Sequence, residues 1–146
     1  MKSTREITRC GWCVGKPLYE KYHDEEWGKP VFDDIKQFEF LVLESAQAGL
    51  SWWTILQRRE NYRSAFATFD YKKVATFDDS KVAQLMQDTG IIRNRAKIVA
   101  AINNAKKFIE VQKEFGSFSN YIWSFVGGKP KINKWATLKE VPTTSP

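Results

Sequence analysis

The chain has one histidine and two cysteines in 146 residues, too few for a disulfide framework and short of the set that a complete zinc site needs. No apolar run approaches the roughly 18 residues required to span a membrane, and the N-terminal MKSTREITR is polar, unlike a signal peptide. Alternating strand patterns bounded by two-residue turns are missing, as are repeats, linkers and low-complexity tracts. These absences exclude secreted disulfide scaffolds, membrane spans and repeat architectures. What remains is a globular, cytoplasmic reading.

Apolar residues make up 42% and charged residues 27% of the chain, enough for one core without covalent staples. Residues 1–146 therefore read as a single domain. Lys and Arg outnumber Asp and Glu by 23 to 17, a formal charge of +6 that favours a polyanionic partner.

Periodicity is helical throughout, so the fold class is all-α. Phe38, Leu41, Val42 and Ser45 form a one-sided stripe, with Asp33 or Asp34 as its cap, and that helix runs to about Gln47. Ser51 caps a second helix in which Trp52, Ile55, Leu56 and Arg59 share a face, extending through Tyr62 and Phe66. Short helices follow Asp70 and Asp79-Ser80. A long one spans Arg93 to about Glu114, and a last aromatic helix spans Tyr121 to Val126 before Gly127-Gly128. The terminal Ser145-Pro146 has the form of a helix cap and first position, so the chain reads as truncated where a helix would begin.

Chemistry concentrates between Cys10 and Gly28, which hold both cysteines, His23, Trp12, Tyr19, Tyr22 and Trp27. Cys10 and His23 can share a metal, with Cys13 at C-x-x-C spacing from Cys10, or all three can be inert packing groups. The aromatics, with Trp52, suit a box that stacks a flat cationic ring, or they are core. Glu44 lies one helical turn after Phe40 and Leu41, so its carboxylate faces either an apolar pocket or a surface cation. The segment from Leu85 to Lys97 has the form of a helix-hairpin-helix, with Gly90 at the turn and Arg93, Arg95 and Lys97 placed to meet a DNA phosphate; solvated charge is the other reading.

Five ordered blocks give the chain a resemblance to a known family. RCGW at Arg9, PLYEKYHDEEWG at Pro17, LESAQAGLSW at Leu43, RENYR at Arg59 and GIIRNRAKI at Gly90 are similar to the bacterial 3-methyladenine DNA glycosylases of the Tag type, and WSFV at Trp123 extends the match. The resemblance implies a monomeric helix-hairpin-helix enzyme that flips an N3-methylated purine from double-stranded alkylated DNA. It would hydrolyse the glycosidic bond without a lyase step. It also implies that Glu44 and Tyr22 act on the base and that Trp12, Tyr19, Trp27 and Trp52 enclose it. Gln47, Gly49 and Leu50 would face the gap in the duplex, with Leu50 as wedge. Structural zinc would be held by Cys10 and His23, clasping the N-terminal segment to a missing C-terminal one that supplies the other ligands. A non-catalytic aromatic box for a cationic base or methylated ligand is the alternative class.

Overall fold

The computed structural model describes residues 7–144; the polar N-terminal hexapeptide and the Ser145-Pro146 pair lie outside them. Eight α-helices are found among the described residues, with no strand: α1 (Pro17–Glu25), α2 (Asp34–Ala46), α3 (Trp52–Gln57), α4 (Arg59–Ala65), α5 (Tyr71–Val74), α6 (Asp79–Leu85), α7 (Arg95–Phe115) and α8 (Phe118–Ser124). Short 3-10 turns occupy Ala67–Phe69 and Leu138–Glu140. The all-α expectation is met.

Local chemistry sets most of the boundaries. Asp33, Ser51, Asp70, Asp78, Asn94 and Ser117 each accept a hydrogen bond from the first turn of the following helix, satisfying amides that have no partner inside the helix. Pro17 opens α1, where its missing N–H costs nothing. Two boundaries differ from expectation by more than two residues. The helix expected from Ser51 through Phe66 is broken at Arg58 (φ −99°, ψ 0°), because Arg58 turns out to reach the Thr89 carbonyl at 3.0 Å while Arg59 turns inward. The last aromatic helix begins at Phe118, not Tyr121, because the Asp34 carboxylate accepts from the amides of Phe118 and Ser119, both at 2.9 Å.

The core lies between α2 and α7, closed by α4, α5 and α6. Ile98, Ala101, Ile102, Ala105 and Phe108 form the buried stripe of α7 and meet Phe38, Val42, Leu43 and Ala46 of α2. Ser45, expected on that stripe, is exposed. Helix α2 has two working faces, and Ser45 belongs to neither: one is buried in the core, and the other carries Gln37, Phe40, Leu41 and Glu44 along a surface groove. Ala67, Thr68 and Phe69 all have φ between 50° and 59°, a left-handed conformation that is costly for side-chain-bearing residues. Full burial of Phe66 just before the turn and of Phe69 within it offsets that strain.

One buried ion network ties α1 to this frame. Arg59 Nε donates to Glu39 at 2.6 Å, and its two terminal nitrogens donate to the carboxylate oxygens of Glu26 at 2.7 and 3.0 Å. Arg63 and Lys36 add bonds to Glu39 of 2.9 and 3.1 Å. Side chains of Arg59 and Glu39 are only 9% and 6% exposed. Burial works against the charged forms of Glu26 and Glu39, but Arg59's hydrogen bonds and charge outweigh it, so both carboxyls titrate below their usual range. The stabilisation is therefore present above the ordinary carboxylate pKa and lost as pH falls through the depressed values.

Replacing Arg59 with Met leaves Glu39 to Lys36 and Arg63 and Glu26 to a 3.6 Å contact with Lys36, so denaturant unfolding at neutral pH should show a loss of about 3 kcal/mol, the low end for a broken buried pair. The variant should also lose less stability than wild type on acidification, since the Arg59 part of the pairing that protonation disrupts is already gone.

Candidate functional site

The Arg59 network places the C-terminal end of α1 against α2, which brings Tyr22 opposite Glu44. Between them opens a groove of about 540 Å³ lined by Tyr22, Trp27, Phe40, Leu41, Glu44 and, from α8, Trp123. Its far wall is pinned through one atom. The Val31 carbonyl accepts from Gln37 Nε2 at 2.7 Å and from Trp123 Nε1 at 2.8 Å, while Trp123 stacks on Phe32 at 4.8 Å.

Glu44 is open to solvent on one side, yet the surrounding protein desolvates it enough to raise its carboxyl above the usual range, with no charged neighbour contributing. The surface ion pair considered for it does not form among the described residues. Tyr22 is raised too, first by burial and then by the negative charge of Glu44. A partly desolvated carboxylate beside aromatic faces attracts a cationic, amine-bearing ring more strongly than its neutral counterpart.

The expected aromatics form a connected chain. Trp12 contacts Tyr19, His23 and Trp27 with centroids at 4.7, 5.3 and 5.5 Å, and Tyr22 contacts Trp52 at 5.5 Å. Tyr22 and Trp27 line the groove itself; Trp12, Tyr19 and Trp52 stand behind or beside it. Trp52 is half-buried, lies near Phe40 at 6.4 Å, and has an indole N–H without a hydrogen-bond partner. Trp53, Gln37, Trp123 and Lys29 were not foreseen. Trp53 stacks on Tyr19 at 5.3 Å, a possibility open only in that either of two consecutive tryptophans could turn outward, and Gln37 sits two helical turns before Glu44.

His23 is held by a local relay. Its Nδ1 lies 3.0 Å from Asp24, which Arg9 clamps at 3.0 and 2.7 Å, and its Nε2 accepts from the Cys10 amide at 3.4 Å. This orients Nε2 toward Cys10 in the manner of a metal-ligating imidazole with a carboxylate behind it. Among the described residues Cys10 and His23 offer two donors, and Cys13 adds none. Cys13 is fully buried, its thiol donates to the Cys10 carbonyl at 3.1 Å, and burial raises its pKa. No group of three or more candidate ligands occurs among the described residues, whereas a closed zinc site takes about four.

The segment read as a helix-hairpin-helix consists of α6, a turn over residues 86–94 and α7. Gly90 does not have the positive φ of a tight-turn glycine. Its smallness is needed because an added Cβ would lie 2.8 Å from Asn61 Cγ and 2.9 Å from Asn61 Cβ. Tyr62 completes the docking, its hydroxyl accepting from the Ile92 amide at 3.2 Å. Arg93 and Arg95 are exposed, and Arg95 has only a loose 3.8 Å contact with Asp79. Lys97 is placed differently from the phosphate-facing expectation: its ammonium donates to the carbonyls of Ala46 and Ala48 at 2.8 and 2.7 Å. Beyond them Gln47, Ala48, Gly49 (φ 76°) and Leu50 form a protruding turn, with Leu50 40% exposed.

A family model described as methyladenine glycosylase matches residues 12–146. The chain is 47% identical over 139 residues to DNA-3-methyladenine glycosylase 1 of Escherichia coli, spanning 95% of this chain and 74% of that protein. It is 48% identical over 136 residues to DNA-3-methyladenine glycosylase of Haemophilus influenzae, spanning 93% and 74%. A crystal structure of 3-methyladenine DNA glycosylase I superimposes with a TM-score of 0.89 at 47% identity, over 95% of this chain and 76% of that one. A variant of 3-methyladenine DNA glycosylase I in complex with 3-methyladenine gives 0.90 at 36% identity, over 96% and 75%.

Gly90→Ala should destabilise the protein by about 1–3 kcal/mol in urea unfolding, as expected for overpacking. Adding Asn61→Ala should recover only part of this, because the Asn61 Cβ itself stands 2.9 Å from the new methyl.

Proposed function

The chain belongs to the methyladenine glycosylase family, and on that premise we propose that its groove receives 3-methyladenine extruded from alkylated duplex DNA for hydrolysis of the N-glycosidic bond. The relatives described above all carry the glycosylase name, and nothing favours a non-catalytic aromatic box. The observation that carries the site assignment is Glu44, an unpaired and partly desolvated carboxylate at the aromatic groove.

Methylation at N3 makes the nucleotide's purine cationic and weakens its bond to the sugar. That bond breaks with its electron pair leaving on the base, which departs neutral; water then adds to C1′ of the sugar cation and loses a proton. Little acid–base assistance is required, so selectivity rests on binding the charged base. Glu44 accepts a hydrogen bond from the purine's exocyclic amine and favours its positive charge, while Tyr22 and Trp27 supply the wall and Trp12, Tyr19 and Trp52 brace or extend it. Neutral adenine meets the same surface without the charge attraction. Exposed Arg93 and Arg95 at the hairpin hold the backbone, and Leu50, with Gln47 and Gly49, fills the space that the base leaves, offsetting part of the few kcal/mol spent on unstacking.

Glu44→Ala should slow single-turnover base release by about 10- to 150-fold, equivalent to ~1.5–3 kcal/mol for a hydrogen bond to a charged group; unchanged release in a folded variant would sink the assignment. Because the Glu44 pKa is raised and its ionised form binds the base, wild-type release should fall as pH drops through that value, and Glu44→Gln should lack this limb. Lys29 is the one lysine lining the groove among the described residues. The hydrolytic reading predicts that borohydride traps no covalent protein–DNA adduct; a trapped species lost in Lys29→Ala would replace it with an amine-mediated mechanism.

A further inference from the structure

The hairpin and the wedge turn come from separate parts of the chain, and Lys97 joins them. It is the third residue of α7, with its amide capped by Asn94 at 3.1 Å, so it belongs to the same helical turn as Arg95. It lines a small cavity together with Val42, Tyr62, Ile92 and Ile98. Its ammonium then ends on two carbonyls at the C-terminal end of α2, Ala46 at 2.8 Å and Ala48 at 2.7 Å.

These carbonyls sit at a helix terminus, where acceptors lack intrahelical partners and carry the negative end of the dipole, so a cation there both satisfies and orients them. Immediately beyond, the turn is closed by the Leu50 amide on the Gln47 carbonyl at 2.6 Å, with Gly49 in the left-handed region. Nothing else in that turn anchors it to α7 by a side-chain hydrogen bond among the described residues.

We propose that Lys97 is a positioning residue for the wedge: it fixes the 47–50 turn to the N-terminus of α7, so that a hairpin seated on the DNA backbone sets where Leu50 enters the duplex. The proposal rests on the glycosylase reading and on Leu50 as wedge. It differs from a phosphate contact in what its loss does. A lost phosphate contact weakens binding on every duplex and lowers the slope of log affinity against log salt by about 0.9. A loosened wedge slows extrusion where the base must be unstacked, and matters least where it is already unpaired.

The test compares wild type with Lys97→Met, which keeps the stem and removes the donors. Single-turnover release is measured from a matched duplex carrying one 3-methyladenine and from a strand in which that nucleotide is bulged. Release should slow tenfold or more on the matched duplex and less than threefold on the bulge. Affinity for free 3-methyladenine, read by tryptophan fluorescence, should stay within twofold, and the salt slope should be unchanged. In a Leu50→Ala background Lys97→Met should cost less than threefold, because both changes act through one element. Equal slowing on both substrates, additivity with Leu50→Ala, or a salt slope reduced by about one overturns the proposal. If Lys97→Met also weakens free-base binding, Lys97→Arg is the deciding variant: a retained cation should restore the matched-duplex rate to within threefold, and failure to do so overturns the proposal. Slowing by Leu50→Ala without slowing by Lys97→Met removes only the Lys97 assignment. A wild-type protein that releases no base, or is indifferent to Leu50→Ala, removes the underlying reading and this proposal with it.

Discussion

The buried guanidinium of Arg59 is the constraint on which the site depends. It bonds at once to Glu39 in the middle of α2 and to Glu26 just past the end of α1, and these two contacts bring Tyr22 beside Glu44. Without them α1 would be a short helix with no fully buried residue of its own, held by aromatic contacts alone. The desolvation of three charged groups is tolerated because each is paired by hydrogen bonds at close range.

Helix α2 organises the rest through its two ends and two faces. At its start, Asp34 accepts from Gln112 and from the first amides of α8, which places the Trp123 wall. Its inner face enters the core, while its outer face presents Gln37, Phe40, Leu41 and Glu44 to the groove. At its end the carbonyls of Ala46 and Ala48 are taken by Lys97. A single thirteen-residue helix thus connects the Glu44 groove, the α8 wall and the 47–50 turn. Rigid support of this kind matters because productive geometry for base excision is lost with displacements on the order of 1 Å.

The Cys10–Gly28 stretch serves two purposes in layers. Its aromatics reach the groove through Tyr22 and Trp27, whereas Cys10, Cys13, His23, Asp24 and Arg9 form a hydrogen-bonded cluster behind Trp12. Stacking of His23 on Trp27 at 5.4 Å connects the two layers. The geometry of that cluster therefore bears on the wall even though its donors fall short of a complete zinc site.

Helical class, the caps at Asp33, Ser51 and Asp70 and the proximity of Glu44 to Phe40 and Leu41 were legible in the sequence, because they depend on interactions within about one helical turn. So was the block pattern of the family, since its unusual residues recur in order along the chain. The break at Arg58 and the early start of α8 were not, because each is decided by a partner 30 or more residues away. The same distinction separates the roles of individual residues. Sequence alone could determine that Gly90 falls at a turn and that Lys97 is basic; only tertiary structure decided that Asn61 excludes a methyl at one and that α2 carbonyls occupy the other. Local chemistry sets which groups a residue offers, but burial, charge pairing and close approach arise between distant segments, and they determine which of those groups remain free to meet a ligand.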